Sequence, residues 1–332
     1  MPVLELRDIK VTGTLLSRSP YIVLAGIPGN TQPISMIGYD ELLAKPGQFF
    51  FFMTPMWTFS DSGFHSKTMP LLLRQIERFP QHAYTMLVSD PRDLEHIADL
   101  PSSVSRFVWN TNCIVDLSLF PFDDSEEEFD FDAVYIARPA LYKRVHLAAL
   151  VPRLCLIARG LTPERFAMVS HQVPRAFIPN HSDGEFTILT ASAVARLLQR
   201  SCAGLMLSPF EGQNRATIEY LLSGLPVVTT ANRGGRDRFL NPANSVFVED
   251  TAPAVADAVS FIQRTSFDRA LIRNQAILDI AFEQVRLLDI INQVLAVHGV
   301  PPVKHSDLDL RHKASSALHR MSTFLDVAIK QA

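Results

Sequence analysis

At 332 residues the chain is long enough for two domains of ordinary size, each with a buried core. Hydrophobic residues make up 47% of it, and 31 basic side chains stand against 34 acidic ones for a net charge of −3. That balance excludes a low-hydrophobicity, collagen-like or disulfide-dense chain. It also argues against nucleic acid as the main partner, because phosphate backbones need a clustered basic surface.

Cys113, Cys155 and Cys202 are far apart and form no CxxC or Cys/His ligand spacing. They read as reduced, partly buried thiols of a cytoplasmic protein. Met1 to Lys10 carries acids and no continuous apolar run, so no secretory signal is expected. The most apolar stretch, Phe49 to Trp57, is too short to span a bilayer, which leaves only peripheral membrane contact open.

In chain order, Tyr21 to Ala25 is a short apolar run that reads as a buried strand, feeding a turn at Gly26 to Asn30. Phe49 to Met53 is a second strand. Ser66 to Phe79 has apolar residues at helical spacing (Leu71, Leu72, Ile76) and ends before Pro80. Tyr84 to Val88 reads as a strand, Leu94 to Leu100 as a helix and Ser105 to Trp109 as a strand. Strands alternating with helices predict a mostly parallel α/β sheet.

The acidic run Asp123 to Asp132 reads as a solvated linker between domains. Asp130-Phe131-Asp132 is formally a DxD metal–nucleotide pattern, but inside an acid-rich run the linker reading takes precedence. The alternation then restarts. Ala133 to Ala137, Leu154 to Ile157, Ala176 to Ile178, Gly204 to Leu207 and Pro226 to Thr230 are predicted strands. Ala140 to Val151, Thr162 to Val169, Ala191 to Arg200 and Arg215 to Leu222 are predicted helices. From Pro253 onward the pattern is helical: Ala254 to Arg264, Phe267 to Phe282 and Val285 to His298. A Pro-Pro pair at 301 and 302 breaks the run, and Asp307 to Ile329 is one more predicted helix.

Ligands of parallel α/β sheets bind outside the carboxyl ends of the strands. Three such ends carry polar groups. Arg138 and Lys143 follow the strand ending at Ala137. Ser208-Pro-Phe-Glu211-Gly212-Gln213-Asn214 follows Leu207, and Asn232-Arg-Gly-Gly-Arg-Asp237 follows Thr230. Cations and the free N–H groups of a helix start suit phosphates. Carboxylates suit ribose and sugar hydroxyls. Asn214 is the predicted N-cap of the helix that carries Glu219.

These residues carry a resemblance. Ser208-Pro-Phe-Glu-Gly-Gln-Asn-Arg-Ala-Thr-Ile-Glu-Tyr-Leu-Leu-Ser-Gly-Leu-Pro-Val-Val-Thr-Thr230 resembles the core of the retaining glycosyltransferase family 4, of GT-B fold. That family has two glutamates separated by seven residues, then a small-Gly-x-Pro-Val-Val strand and a glycine-bearing loop, as here. The likeness covers roughly Val134 to Val248, about a third of the chain. Ala137-Arg138 stands where the family often has Gly-Arg, and Arg144 where a glycine often follows the lysine.

The resemblance implies two Rossmann-like domains with parallel sheets facing a central cleft, and a C-terminal helix returning to the first domain. The first domain would be Met1 to Phe122 and bind the acceptor. The second would be Asp123 to Lys304 and bind the donor, and the tail from His305 would return. It implies that Glu211 bonds the transferred sugar, that Arg138 and Lys143 stabilise the departing diphosphate, and that Glu219 binds the ribose. Gly212, Gln213 and Asn214 would contact sugar and phosphate, and the loop at Pro179 and Asn180 would border the nucleobase.

The activity implied is transfer of a hexose from a UDP- or GDP-sugar to a hydroxyl of a glycan, lipid-linked or small-molecule acceptor. Configuration would be retained, without a metal or other cofactor. The alternatives are a non-catalytic nucleotide-sugar-binding partner of other transferases, or a nucleotide-sugar epimerase. His65, His146 and His181 are lesser candidates, each more simply read as a histidine without catalytic duty. The basic segment around Arg311, His312 and Lys313 reads as a solvated helix face.

Overall fold

The computed structural model describes residues 13–27, 47–122, 128–182, 184–265 and 267–310. The far side of the turn predicted at Gly26 to Asn30, most of the acidic run and most of the predicted tail helix lie outside these residues. Contacts divide the chain into two compact units, Met1–Ile114 with Glu283–Ala332, and Val115–Phe282.

The first unit is built on strands β1 (Gly13–Arg18), β2 (Tyr21–Ile27), β3 (Phe49–Pro55), β4 (Ala83–Val88) and β5 (Val104–Val108). They lie in the order β1-β2-β3-β4-β5, with β1 antiparallel to β2 and the other pairs parallel. Every residue of β3 is buried, including Phe49 to Phe52. Such an unbroken apolar run marks a strand covered on both faces.

Helix α1 (Ser62–Arg78) begins where the Asp61 carboxylate accepts from the Phe64 N–H, four residues before the predicted start. It turns Phe64, Met69, Leu72 and Ile76 into the core. The helix predicted over Leu94 to Leu100 is a single turn, α2 (Asp93–His96). Beyond it the chain continues in i→i−3 turns, Ala98 N–H donating to the Glu95 carbonyl and Leu100 N–H to the Ile97 carbonyl, and the Arg106 guanidinium donates to the Ile97 and Leu100 carbonyls.

The second unit holds the parallel strands β6 (Phe131–Ala137) and β7 (Leu154–Ala158), then a small antiparallel pair, β8 (His181–Ser182) and β9 (Glu185–Phe186). It continues with β10 (Ser201–Met206), β11 (Val227–Thr230) and β12 (Ser245–Val248). The main sheet has the order β12-β11-β10-β6-β7. Helices α3 (Pro163–Gln172), α4 (Ala191–Gln199), α5 (Arg215–Leu222) and α6 (Ala252–Arg264) start at Thr162, Thr190, Asn214 and Thr251. Each of these caps accepts a backbone N–H of its own first turn, which is why the boundaries lie close to the predicted ones.

Several predicted elements differ. Ala140 to Val151 is not an α-helix but two 3-10 turns, Leu141–Lys143 and Val145–Ala148, joined by Arg144 in the left-handed region at φ 50°. The Tyr135 hydroxyl donates to the Lys143 carbonyl, and the Arg144 guanidinium donates to the Leu207 carbonyl (2.5 Å) and Thr230 Oγ1 (2.6 Å). These tertiary bonds outweigh the helical period.

Ala176 to Ile178 is only a bridge, Phe177 pairing with Cys155. Asp130 to Asp132 is not linker: Phe131 opens β6, and Asp132 is 5% exposed. Its carboxylate accepts from Arg153 Nε (2.8 Å) and Gln263 Nε2 (2.7 Å).

The two helices predicted between Phe267 and His298 are one, α7 (Arg269–Val297). Its later part belongs to the first unit, where Trp109 Nε1 donates to the Glu283 carbonyl at 2.9 Å and Gln284 Nε2 to the Cys113 carbonyl at 2.9 Å. At the other boundary, Phe122 falls within the second unit, under the Arg273 guanidinium and against Gly224. The units therefore part at Ile114 and Phe282, where the sequence reading puts 122 and 304.

Candidate functional site

Strand order locates the site. In the first unit the parallel strands β2 to β5 follow chain order across the sheet. In the second, β7 lies on one side of β6, while β10, β11 and β12 run away on the other. The order reverses between β6 and β10, and a crevice opens at such a switch point beyond the carboxyl ends of the strands.

The predicted residues from those two ends meet there. Lys143, after β6, donates from Nζ to Oε1 of Glu211, after β10. Both side chains are less than a tenth exposed. The Ser208 hydroxyl donates to the same carboxylate oxygen at 3.2 Å. Removal of two charges from water is tolerable because they face each other and are hydrogen-bonded. The pair fixes a carboxylate and an ammonium side by side in a nearly dry corner.

The third predicted loop, after β11, completes the support. Glu211 N–H donates to the Arg233 carbonyl (3.2 Å), and Arg233 N–H to the Pro209 carbonyl (2.8 Å). Gly234 has φ 120°, and a Cβ there would lie 2.0 Å from the Glu211 carbonyl oxygen. Only glycine fits this position.

Arg236 is fully buried and donates to the Ser208 carbonyl (2.5 Å), Thr229 Oγ1 (2.7 Å) and the Thr230 carbonyl (2.5 Å). Its Nε bonds Asp237 at 2.6 Å. Arg236 thus ties the β10 and β11 loops together as a structural cation. Arg144, an open question in the sequence, is likewise committed to Leu207, Thr230 and Asp250.

Asn214 caps α5 by accepting the Ala216 N–H at 3.0 Å, as predicted. Gly212 is buried and Gln213 half-buried in the loop before it. Glu219, in the second turn of α5, is 7% exposed, and its Oε2 has no hydrogen-bond partner among the described residues. The Arg159 guanidinium, after β7, stands 3.8 Å from that oxygen. Burial raises the Glu219 pKa, and Arg159 and Arg215 draw it partly back.

Arg138 is exposed, with no salt bridge among the described residues. Pro179 is half-buried, and Asn180 is buried with its side-chain amide taken up by the backbone. Its Oδ1 accepts the Ala158 N–H at 3.1 Å and its Nδ2 donates to the Ala158 carbonyl. The Asn180 side chain thus anchors its loop to the end of β7.

The histidines take supporting places. His65 Nε2 donates to the His96 carbonyl at 2.9 Å, and His181 packs on Phe166 at 3.9 Å between ring centres. His146 is exposed. Among the described residues no group of three or more His, Cys, Asp or Glu side chains is placed to hold a metal ion. No helix among them is long and apolar enough to cross a membrane.

A cavity of about 680 Å³ lies elsewhere, at the amino-terminal edge of the sheet, lined by Phe129, Arg153, Cys202, Pro226 and Arg269 among others. It holds none of the strand-end residues and is not the site the chemistry marks.

Sequence reasoning missed Arg159. The signal was the one used for the other loops, a charged residue directly after a strand.

Solved structures resemble this arrangement. HepE of Anabaena, in complex with UDP, matches with a TM-score of 0.54 over 82% of this chain and 78% of its own, at 12% identity. Sucrose-phosphate synthase of Thermosynechococcus elongatus matches with a TM-score of 0.56 over 82% and 74%, at 16% identity. A glycosyltransferase of Rickettsia africae matches with a TM-score of 0.52 over 82% and 76%, at 12% identity. The fold is GT-B. At such identities the likeness is one of fold, and function has to be argued from the site. No protein-family model matches the chain, and no curated protein matches it.

Proposed function

We propose that this GT-B chain is a glycosyltransferase that moves a hexose from a UDP- or GDP-sugar to an acceptor hydroxyl with retention of configuration. The observation that carries the reading is the meeting of Lys143 and Glu211, with Glu219 nearby in sequence on α5, at the switch point of the second sheet. The UDP held by HepE, a protein of the same fold, supports a nucleotide diphosphate as the donor's leaving part.

In this reading the donor diphosphate lies over the start of α5, where the positive end of the helix dipole favours an anion. Arg138 and Lys143 balance the charge that grows on the leaving diphosphate as the anomeric C–O bond breaks. Those two cations take the place of a metal ion. Glu211, already oriented by Lys143 and Ser208, accepts hydrogen bonds from the sugar hydroxyls. Glu219 offers its open carboxylate oxygen to the ribose. Gly212, Gln213 and Asn214 line the sugar and phosphate path, and the Pro179 loop, pinned by Asn180, borders the base. The acceptor is a hydroxyl on a glycan, a lipid-linked sugar or a small molecule.

The experiment is slow donor hydrolysis followed by NMR, with UDP- and GDP-hexoses and chelator present. An α-linked donor should first release α-sugar. Glu211→Gln should lower the rate by at least about 100-fold, the loss expected when an oriented transition-state contact is removed. Release of β-sugar would contradict retention. A wild-type rate in Glu211→Gln would remove the role given to that residue.

A further inference from the structure

Glu219 presents a physical problem that Arg159 answers. Its carboxyl group is nearly dry, yet Oε2 accepts no hydrogen bond among the described residues. A buried charge of this kind either finds a partner or takes up a proton. The charged groups facing it come from two elements. Arg215 stands four residues earlier on α5, itself half-buried, with burial lowering its own pKa. Arg159 comes from the end of β7, where its backbone N–H donates to the Ala137 carbonyl at 2.9 Å and its side chain is 58% exposed. The Tyr220 hydroxyl is engaged elsewhere, accepting the Ile136 N–H at 2.7 Å.

At 3.8 Å from Oε2, the Arg159 guanidinium is close enough for charge attraction but does not take the oxygen's hydrogen-bonding capacity. It contributes a positive field and leaves the acceptor open. Two vicinal hydroxyls need an acceptor-only group, which a carboxylate is and a carboxylic acid is not. Arg215 approaches from the same helix as Glu219, whereas Arg159 reaches its free oxygen from the end of β7, with its guanidinium largely in solvent.

We propose that Arg159 is a positioning residue for the donor's ribose, holding Glu219 ionised and aimed so that its free oxygen accepts the vicinal 2′ and 3′ hydroxyls. The proposal rests on the donor-site reading above. It assigns Arg159 to ribose recognition through Glu219, and not to direct contact with phosphate.

Binding of UDP and of GDP, each compared with its 2′,3′-dideoxy analogue, tests this by calorimetry from about pH 6 to about pH 8, the range above ordinary carboxylate titration. The wild type should prefer the ribonucleotide by about tenfold or more, the worth of a hydrogen bond to a charged group. Arg159→Ala should lose most of that preference while leaving the dideoxy affinity within about threefold. The remaining preference should fall further toward acid, because removing the cation lets Glu219 keep its proton to higher pH. The dideoxy analogue shares the diphosphate's own titration and corrects for it. Arg159→Lys should restore the preference, and Glu219→Gln should abolish it at every pH.

Equal loss of ribo- and dideoxynucleotide affinity in Arg159→Ala would make Arg159 a phosphate contact and overturn the proposal. An unchanged preference would overturn it as well. If the wild type binds neither nucleotide, the donor-site reading itself fails, a result distinct from either of these.

Discussion

Lys143 and Glu211 are each other's main compensation for leaving water. Replacing Lys143 by Ala leaves the Glu211 carboxylate, among the described residues, with Ser208 as its one remaining side-chain donor. The expected cost is about 3–5 kcal/mol of unfolding free energy. Lys143→Ala with Glu211→Ala together should cost clearly less than the sum of the two single changes, because the second removes the charge that the first left unpaired. Denaturant unfolding of the four proteins measures this, and additive losses would mean that the pair is not coupled.

Gly234→Ala acts through backbone. Its Cβ cannot coexist with the Glu211 carbonyl, so the β11 loop must move and Glu211 with it. Both the melting temperature and nucleotide affinity should fall, and an unchanged affinity would show that the loop is free to adjust. At this scale the sequence disclosed the residue types well. Motif and spacing name Glu211, Lys143 and Asn214, and the fold pairs Lys143 with Glu211 and makes Asn214 a helix cap. The Lys143–Glu211 pair was not legible, since it joins residues far apart in the chain. The Asn180 side chain was not legible either, since it bonds the Ala158 backbone, 22 residues away in the chain.

Among the elements, the loop after β6 is the one whose conformation is set from outside. Its sequence has helical period, yet Tyr135 and Arg144 divert its backbone into two 3-10 turns and place Lys143 over Glu211. Arg236 does the corresponding work for the loops after β10 and β11. Its guanidinium is fully buried and serves three carbonyl or hydroxyl acceptors as well as Asp237, a geometry that a lysine ammonium cannot copy. Arg236→Lys should therefore destabilise by about 2 kcal/mol or more, read as a lower midpoint in thermal or denaturant unfolding, and a midpoint equal to wild type would deny it the structural role.

The helices capped by Thr and Asn were legible because such caps act locally, whereas the Asp61 cap of α1 was missed. The turns at 140–151, the bridge at Phe177 and the single turn of α2 were not, because side chains distant in sequence settle them. Asp132 was misread for a similar reason. An acidic run looks solvated until Arg153 and Gln263 are brought to it by the fold.

At the scale of the molecule, two sheets of the same kind differ in one respect that bears on function. Only the second, among the described strands, reverses its order, the arrangement at whose strand ends ligands of such sheets bind. Alternating strands and helices made the parallel sheets legible, and the motif after β10 lies in the unit whose strand order reverses. The short edge strand β12, with Phe247 exposed, and the outer antiparallel strand β1 gave too little pattern to be found.

The cysteines report on both cores. Cys113, Cys155 and Cys202 are all free and buried, and burial pushes each thiol up, Cys155 to about 12. The native protein should resist thiol reagents at about pH 8 and react at all three positions once unfolded. Rapid labelling of the native state would show that a core opens.

The central claim, a nucleotide-diphosphate-sugar site at the switch point of the second sheet, is tested most directly by thermal stability of the purified protein against a panel of nucleotides and nucleotide sugars, with and without EDTA. A ligand that binds only the folded state raises the melting temperature. The account predicts a selective rise with UDP or GDP and their sugars, indifferent to EDTA and lost in Arg138→Ala with Lys143→Ala when each protein is compared with its own unliganded midpoint. No rise with any diphosphate nucleotide, or an equal rise in the double variant, would contradict it.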